Sequence, residues 1–371
     1  MDSVPLELTG QRTGHPLRYI ERQPEMSWPN SGRSEWATPA QRPVDCAGNH
    51  ATGGAAMAMP TLSRRALLAT LVAMLLTGAP GAALAQAPPM PNAFRYGASY
   101  DFEVSSATRV VNDAHDQGSI SLTVYIWRPL HTQSKKVAFF SHGSTGGGSI
   151  HPKEPVEWIP RPLIRYFVDR GYTLVMPVRR GLGSSTGRFI AECEFQSGKC
   201  SLVDNRALAG PSLDDAVADN SAVLDQVVLG RIVPRDAKVL FTGISRGGFL
   251  SLRMASVRPD SAAGVLNFVG GWISMPDVWP ADELKARVEL HQRWLREIAG
   301  RIKAPTLWIY GSRDPFYSEA VTRGMFDSFV QSGGAGKYVF ISNHALPTGH
   351  SVGQAPELWE PDVARFLASL E

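Results

Sequence analysis

Gly243-Ile244-Ser245-Arg246-Gly247 sets one serine between two glycines, one residue removed on each side. A serine hydroxyl is a poor nucleophile unless a base takes its proton and a carboxylate holds that base in one tautomer. Two histidines late in the chain offer the base, His344 and His350. His350 is the expected one, because Gly349 precedes it in a loop between the last apolar run and the last helical stretch. Asp314 is the expected acid, with Asp277 its competitor; both lie between Ser245 and the histidines, giving the order Ser, Asp, His. Acyl transfer also needs donors for the oxyanion. The backbone N–H of Arg246 is one. The N–H of Ser144 is expected to be the other, from the glycine-rich loop His142-Gly143-Ser144-Thr145-Gly146-Gly147-Gly148, where the missing side chains let backbone approach a substrate.

Those residues need a scaffold that ends several strands at one edge. Short apolar runs at 121–127, 137–141, 172–176, 238–242, 264–269, 305–310 and 337–341 read as strands. Between them, 162–170, 212–228, 246–257, 284–298, 319–331 and 361–370 have helical spacing. Ser212 reads as the N-cap of its helix, with Leu213, Val217, Val223, Leu224 and Val227 as the apolar face. Near-continuous apolar strands alternating with helices predict an α/β fold, a mostly parallel central sheet flanked by helices. In such sheets, function sits at the carboxyl ends of the strands, which is where Ser245, Asp314 and the 142–148 loop fall. Neither a G-x-x-x-x-G-K-[ST] nor a G-x-G-x-x-G pattern occurs in that loop, which argues against a nucleotide phosphate there.

HGST at 142–145, GISRG at 243–247, GSRD at 311–314 and GHS at 349–351 together resemble the α/β-hydrolase superfamily, across nearly all of residues 86–371. The turn Pro177-Val178-Arg179-Arg180-Gly181-Leu182-Gly183-Ser184-Ser185 is similar to one that follows the fourth strand in many members. Within the superfamily the chain looks most like the dienelactone-hydrolase-like proteins, with prolyl-oligopeptidase-like hydrolases next. The resemblance implies an α/β-hydrolase fold with a small lid or none, and a serine esterase needing no metal or organic cofactor. Dienelactone hydrolases proper use a cysteine nucleophile where this chain has Ser245, so the dienelactone substrate is not carried over. A peptidase or amidase of the prolyl-oligopeptidase-like type, a non-catalytic binding protein, and a lyase or transferase are the rival classes. A propeller of the prolyl-oligopeptidase kind has no room, because few residues precede the first expected strand.

The chain has 371 residues, and 43% of them are hydrophobic, a globular composition. Its 37 Lys and Arg nearly balance 34 Asp and Glu and form no basic block, which argues against a nucleic-acid partner. A small-molecule ester or amide is the expected partner; oligomeric state is unreadable. Residues 1–56, interrupted by six prolines, are expected to lack regular structure or to precede the true start. Residues 57–85 have the parts of a secretory signal: Arg64-Arg65, an apolar run from Ala66 to Leu76, and Ala83-Leu84-Ala85. That run is too short to span a membrane. A periplasmic or secreted location follows, with 86–371 as the mature domain and no membrane span left after cleavage. In an oxidising compartment Cys193 and Cys200 are expected to form a local disulfide.

Trp272, Trp279 and Trp294 lie between the expected strands at 264–269 and 305–310, as a small lid or as cover for the sheet. Trp272 and Arg180 are candidate substrate contacts; Arg179 and Arg180 have the alternative of bracing their loop through ion pairs.

Overall fold

The computed structural model describes residues 18–19, 94–96, 100–112, 116–130, 135–144, 159–187, 194–196, 199–201, 206–342 and 345–371. The chain divides into two compact units, one formed by 1–20 with 90–371 and one by 21–89, the second wholly outside the described residues. The signal segment at 57–85 therefore lies outside them too, as does Cys193 of the expected disulfide. No described helix is long and apolar enough to cross a membrane.

In chain order the strands are β1 (Arg18–Tyr19), β2 (Phe94–Tyr96), β3 (Tyr100–Asn112), β4 (Gln117–Pro129), β5 (Lys136–Ser141), β6 (Tyr172–Pro177), β7 (Glu194–Gln196), β8 (Lys199–Ser201), β9 (Val239–Ile244), β10 (Ala262–Phe268), β11 (Thr306–Gly311) and β12 (Gly336–Ile341). The helices are α1 (Arg161–Asp169), α2 (Arg206–Val223), α3 (Arg246–Val257), α4 (Ala281–Ala299), α5 (Glu319–Gln331) and α6 (Pro356–Ala368). The main sheet runs β1-β2-β3-β4-β6-β5-β9-β10-β11-β12, and β7 pairs with β8 apart from it. From β6 to β12 every pairing is parallel, whereas β3 pairs antiparallel with β2 and β4, and β4 with β6.

Strand order determines which face each helix covers. The step β5–α1–β6 runs one way across the sheet; β9–α3–β10, β10–α4–β11 and β11–α5–β12 run the other way. Right-handed crossovers then put α1 on one face and α3, α4 and α5 on the opposite one. Packing agrees. The α1 residue Tyr166 meets Trp359 of α6 edge to face at 4.8 Å, and Phe249 of α3 meets Trp294 of α4 at 5.9 Å. With both faces covered, β6 and β11 are buried at every position, which is why they read as unbroken apolar runs. The direction of travel reverses between the neighbours β5 and β9, so the crevice above their carboxyl ends is the sheet's switch point.

Three expectations need correction. The strand β3 was not anticipated; its buried residues are only Phe102, Ala107 and Val111, so it lacks an apolar run. The helix expected from residue 212 begins at Arg206, and Ser212 is not its N-cap: its hydroxyl donates back to the Ala209 carbonyl at 3.0 Å. The helix expected from 361 begins at Pro356. Each of these two helices carries a proline inside it, Pro211 and Pro361, which removes one intrahelical N–H donor and crowds the carbonyl four residues before it. All five residues of the expected apolar face, Leu213, Val217, Val223, Leu224 and Val227, are buried.

Candidate active site

Ser245 joins β9 to α3 with φ 56° and ψ −125°, a conformation that costs an L-residue about 1–3 kcal/mol. Backbone bonds hold it there, among them the following. Its N–H donates to the Phe268 carbonyl at 2.9 Å, and its carbonyl accepts from Gly248 at 2.9 Å and Gly271 at 3.2 Å. The flanking glycines are required by contact: a Cβ on Gly243 would lie 2.3 Å from the Gly247 carbonyl oxygen, and one on Gly247 only 1.8 Å from that of Ser141. The Ser245 side chain makes no capping bond to α3, so it is not serving as a helix cap. It stands at the helix N-terminus, where the unpaired N–H groups and the dipole favour negative charge.

Asp314 lies in the turn that follows β11, just past Arg313 at φ 59°. Its fully buried carboxylate is divided between two duties. Oδ1 accepts the N–H groups of Phe316 at 2.8 Å and Tyr317 at 3.2 Å, and Oδ2 lies 2.8 Å from Nδ1 of His350. A carboxylate accepts, so Nδ1 carries the proton and Nε2 is left as a base. The loop bearing His350 crosses the end of β11 with no room between: a Cβ on Gly349 would be 2.2 Å from the Gly311 carbonyl oxygen. Phe316 stands edge to face with the imidazole at 4.8 Å, and Tyr317 anchors its hydroxyl on the Gly271 carbonyl at 2.8 Å. Asp277 is exposed in the loop after β10, and His344 lies outside the described residues.

The glycine-rich loop leaves β5 directly beside this turn. A Cβ on Gly143 would lie 3.2 Å from both the Ile244 carbonyl oxygen and the Ser245 Cβ. Ser144 is exposed, and residues 145–150 lie outside the described residues. A half-covered serine on a strained strand-to-helix turn, at the switch point of a mostly parallel sheet with helices on both faces, decides the architecture. The chain has an α/β-hydrolase fold.

No family model matches the chain, and no curated protein does. Among solved structures, an esterase of Pyrococcus furiosus is similar over 73% of this chain and 90% of its own, at 14% identity and a TM-score of 0.47. A cold-adapted esterase from an Arctic intertidal metagenomic library is similar over 74% of this chain and 97% of its own, at 16% identity and a TM-score of 0.46. A dienelactone hydrolase-like promiscuous phosphotriesterase from metagenomic libraries is similar over 72% and 98%, at 14% identity and a TM-score of 0.42.

Two candidate substrate contacts are otherwise engaged in this hydrolase fold. Arg180 is buried, with two bonds of 2.7 Å to the Asp219 carboxylate and one of 3.3 Å to Asp116; it takes the bracing role. Burial explains this, since a guanidinium taken out of water needs anionic partners at hand. Trp272 is buried too, its indole N–H on the Ala209 carbonyl at 2.8 Å, and the Arg246 guanidinium lies 5.4 Å from its ring. Trp294 packs α4 against Phe249 of α3, and Trp279 lies under the Arg287 guanidinium of α4 at 4.1 Å.

Sequence reasoning missed the residues that support the site. Phe316 and Tyr317 directly follow Asp314-Pro315, and an aromatic pair beside a candidate acid was the available signal. His291 gave none: it is buried on α4, and its Nε2 accepts the N–H groups of Trp272 at 3.0 Å and Ile273 at 3.2 Å. Among the described residues no group of three or more His, Cys, Asp or Glu side chains is arranged to hold a metal ion.

Proposed function

We propose that the protein is an exported serine hydrolase that cleaves a carboxylic ester of a small molecule through an acyl-enzyme. The observation that carries this reading is the buried Asp314 carboxylate on Nδ1 of His350, at the same sheet edge as the strained Ser245 turn. Ser245 Oγ attacks the ester carbonyl while Nε2 of His350 takes its proton. The oxyanion forms beside the N–H groups of Ser144 and Arg246 and is stabilised by them. The imidazolium gives its proton to the leaving alcohol as the C–O bond breaks. Water, deprotonated in turn by Nε2, attacks the acyl-enzyme, and the proton returns to Ser245 as the acid departs.

Export and the disulfide belong to the same proposal. Residues 57–85 would be removed after Ala85, and Cys193 and Cys200 would pair once outside the cytoplasm. The test is turnover of p-nitrophenyl acetate and butyrate by the chain and by Ser245→Ala. We expect ester release by the parent and a loss of about 10⁶-fold in kcat in the variant. Equal turnover by both would remove Ser245 from the chemistry.

A further inference from the structure

Arg179 stands just beyond the end of β6, the strand beside β5, and binds the glycine-rich loop at three points. Its backbone N–H donates to Nε2 of His142 at 3.2 Å. Its guanidinium donates to the Gly143 carbonyl at 2.7 Å through Nη2 and to the His142 carbonyl at 3.4 Å through Nη1.

The first bond assigns the tautomer of His142. A backbone N–H can only donate, so Nε2 is the unprotonated nitrogen and Nδ1 bears the hydrogen. That Nδ1–H points at the same Gly143 carbonyl, 2.8 Å away. Burial, and then the Arg179 charge, hold the His142 pKa well below its ordinary value, so the neutral form persists. One carbonyl therefore receives two donors, one of them charged, and charge-assisted bonds are the stronger kind.

The peptide after Gly143 is trans, since no described peptide bond is cis, and its N–H points opposite to its C=O. Arg179 and His142 hold the oxygen on one side. The Ser245 turn lies close by on another side: a Cβ on Gly143 would sit 3.2 Å from the Ser245 Cβ. We propose that Arg179 is a positioning residue for the oxyanion site: with His142 it clamps the Gly143 carbonyl, and so aims the N–H of Ser144 at the carbonyl that Ser245 attacks. A cation on that oxygen also draws electron density through the amide and makes the N–H a better donor. The clamp rests on the reading of Ser245 as nucleophile.

The test uses the full chain with Arg179→Met and Arg179→Lys. It measures kcat and KM on p-nitrophenyl butyrate, inhibition by a trifluoromethyl ketone, and labelling of Ser245 by a fluorophosphonate. The ketone forms a tetrahedral oxyanion on the serine, so its affinity reports the aim of the donors. For Arg179→Met we expect kcat to fall roughly 10- to 100-fold with KM within about twofold, and the ketone affinity to fall in the same ratio. Arg179→Lys should fall between, and added guanidinium ion should restore part of the loss in Arg179→Met. Unchanged kcat and ketone affinity, or a rise in KM alone, would overturn the clamp. Should Arg179→Met fail to fold, a lysine variant equal to the parent in both readouts would also overturn it. A parent chain without ester turnover and without label at Ser245 would refute the nucleophile instead, which separates the two failures.

Discussion

Asp314 gives one oxygen to an imidazole and the other to its own turn: Oδ2 lies 2.8 Å from Nδ1 of His350, while Oδ1 accepts the N–H groups of Phe316 and Tyr317. The carboxylate is thus oriented before any substrate arrives, and the imidazole takes its direction from it. Replacing one oxygen by an amide nitrogen should reverse that order. In Asp314→Asn an NH₂ facing Nδ1 favours the tautomer with the proton on Nε2, which cannot accept one from Ser245. We expect kcat on p-nitrophenyl esters to fall by about 10⁴-fold with little change in thermal midpoint. A loss under tenfold would mean that Asp314 does not orient the base.

Arg180 and Asp219 supply a test of the scaffold. Both side chains are almost wholly buried, and Asp219 also takes Nη1 of Arg109 at 2.5 Å. Removing the carboxylate leaves a guanidinium in the interior without its main partner. Asp219→Ala should cost about 3–5 kcal/mol in urea unfolding. The exposed pair Arg323–Glu319, 3.2 Å apart, is the comparison, and Arg323→Ala should change stability by less than about 1 kcal/mol. Equal losses at the two sites would contradict the role given to burial.

His142 makes stability depend on pH in one direction. Its folded pKa is lowered by burial and by Arg179, from an ordinary value of 6.5. Below about pH 6.5 the unfolded chain takes up the proton while the folded chain does not, so unfolding gains as pH falls. The contribution is whole above that value and is lost by up to about 1.4 kcal/mol per pH unit beneath it. His142→Asn keeps a donor near the Nδ1 position and has nothing to titrate. The fall in urea midpoint between pH 6.5 and 5 should be shallower in this variant than in the parent; identical slopes would count against a neutral buried His142.

The central strands β5, β6, β9, β10 and β11 could be read in the sequence because they are buried at nearly every position and so carry short apolar runs. The hairpin of β3 with β4 is half exposed, and on β3 that exposure erases the run. Ser245, Asp314 and His350 were legible because each sits between a strand and a glycine-bearing turn, a pattern one segment can carry. The choice between the two roles open to Arg180 was not legible because its partner Asp219 comes from another element 39 positions away, and only folding brings the two side chains together. The same limit hid the bonds from Arg179 to the 142–143 loop, which join residues 36 and 37 positions apart. Local spacing shows which residues can react; partners supplied by neighbouring strands determine how they are held.

Whether Ser245 is the nucleophile is settled by covalent labelling. The chain is treated with a fluorophosphonate, digested, and the adduct located by mass spectrometry, with Ser245→Ala alongside. A single adduct is expected on the peptide carrying Gly243-Ile244-Ser245-Arg246-Gly247, absent from the variant. An adduct on another serine, or no adduct in a chain that still turns over esters, would contradict Ser245 as the nucleophile.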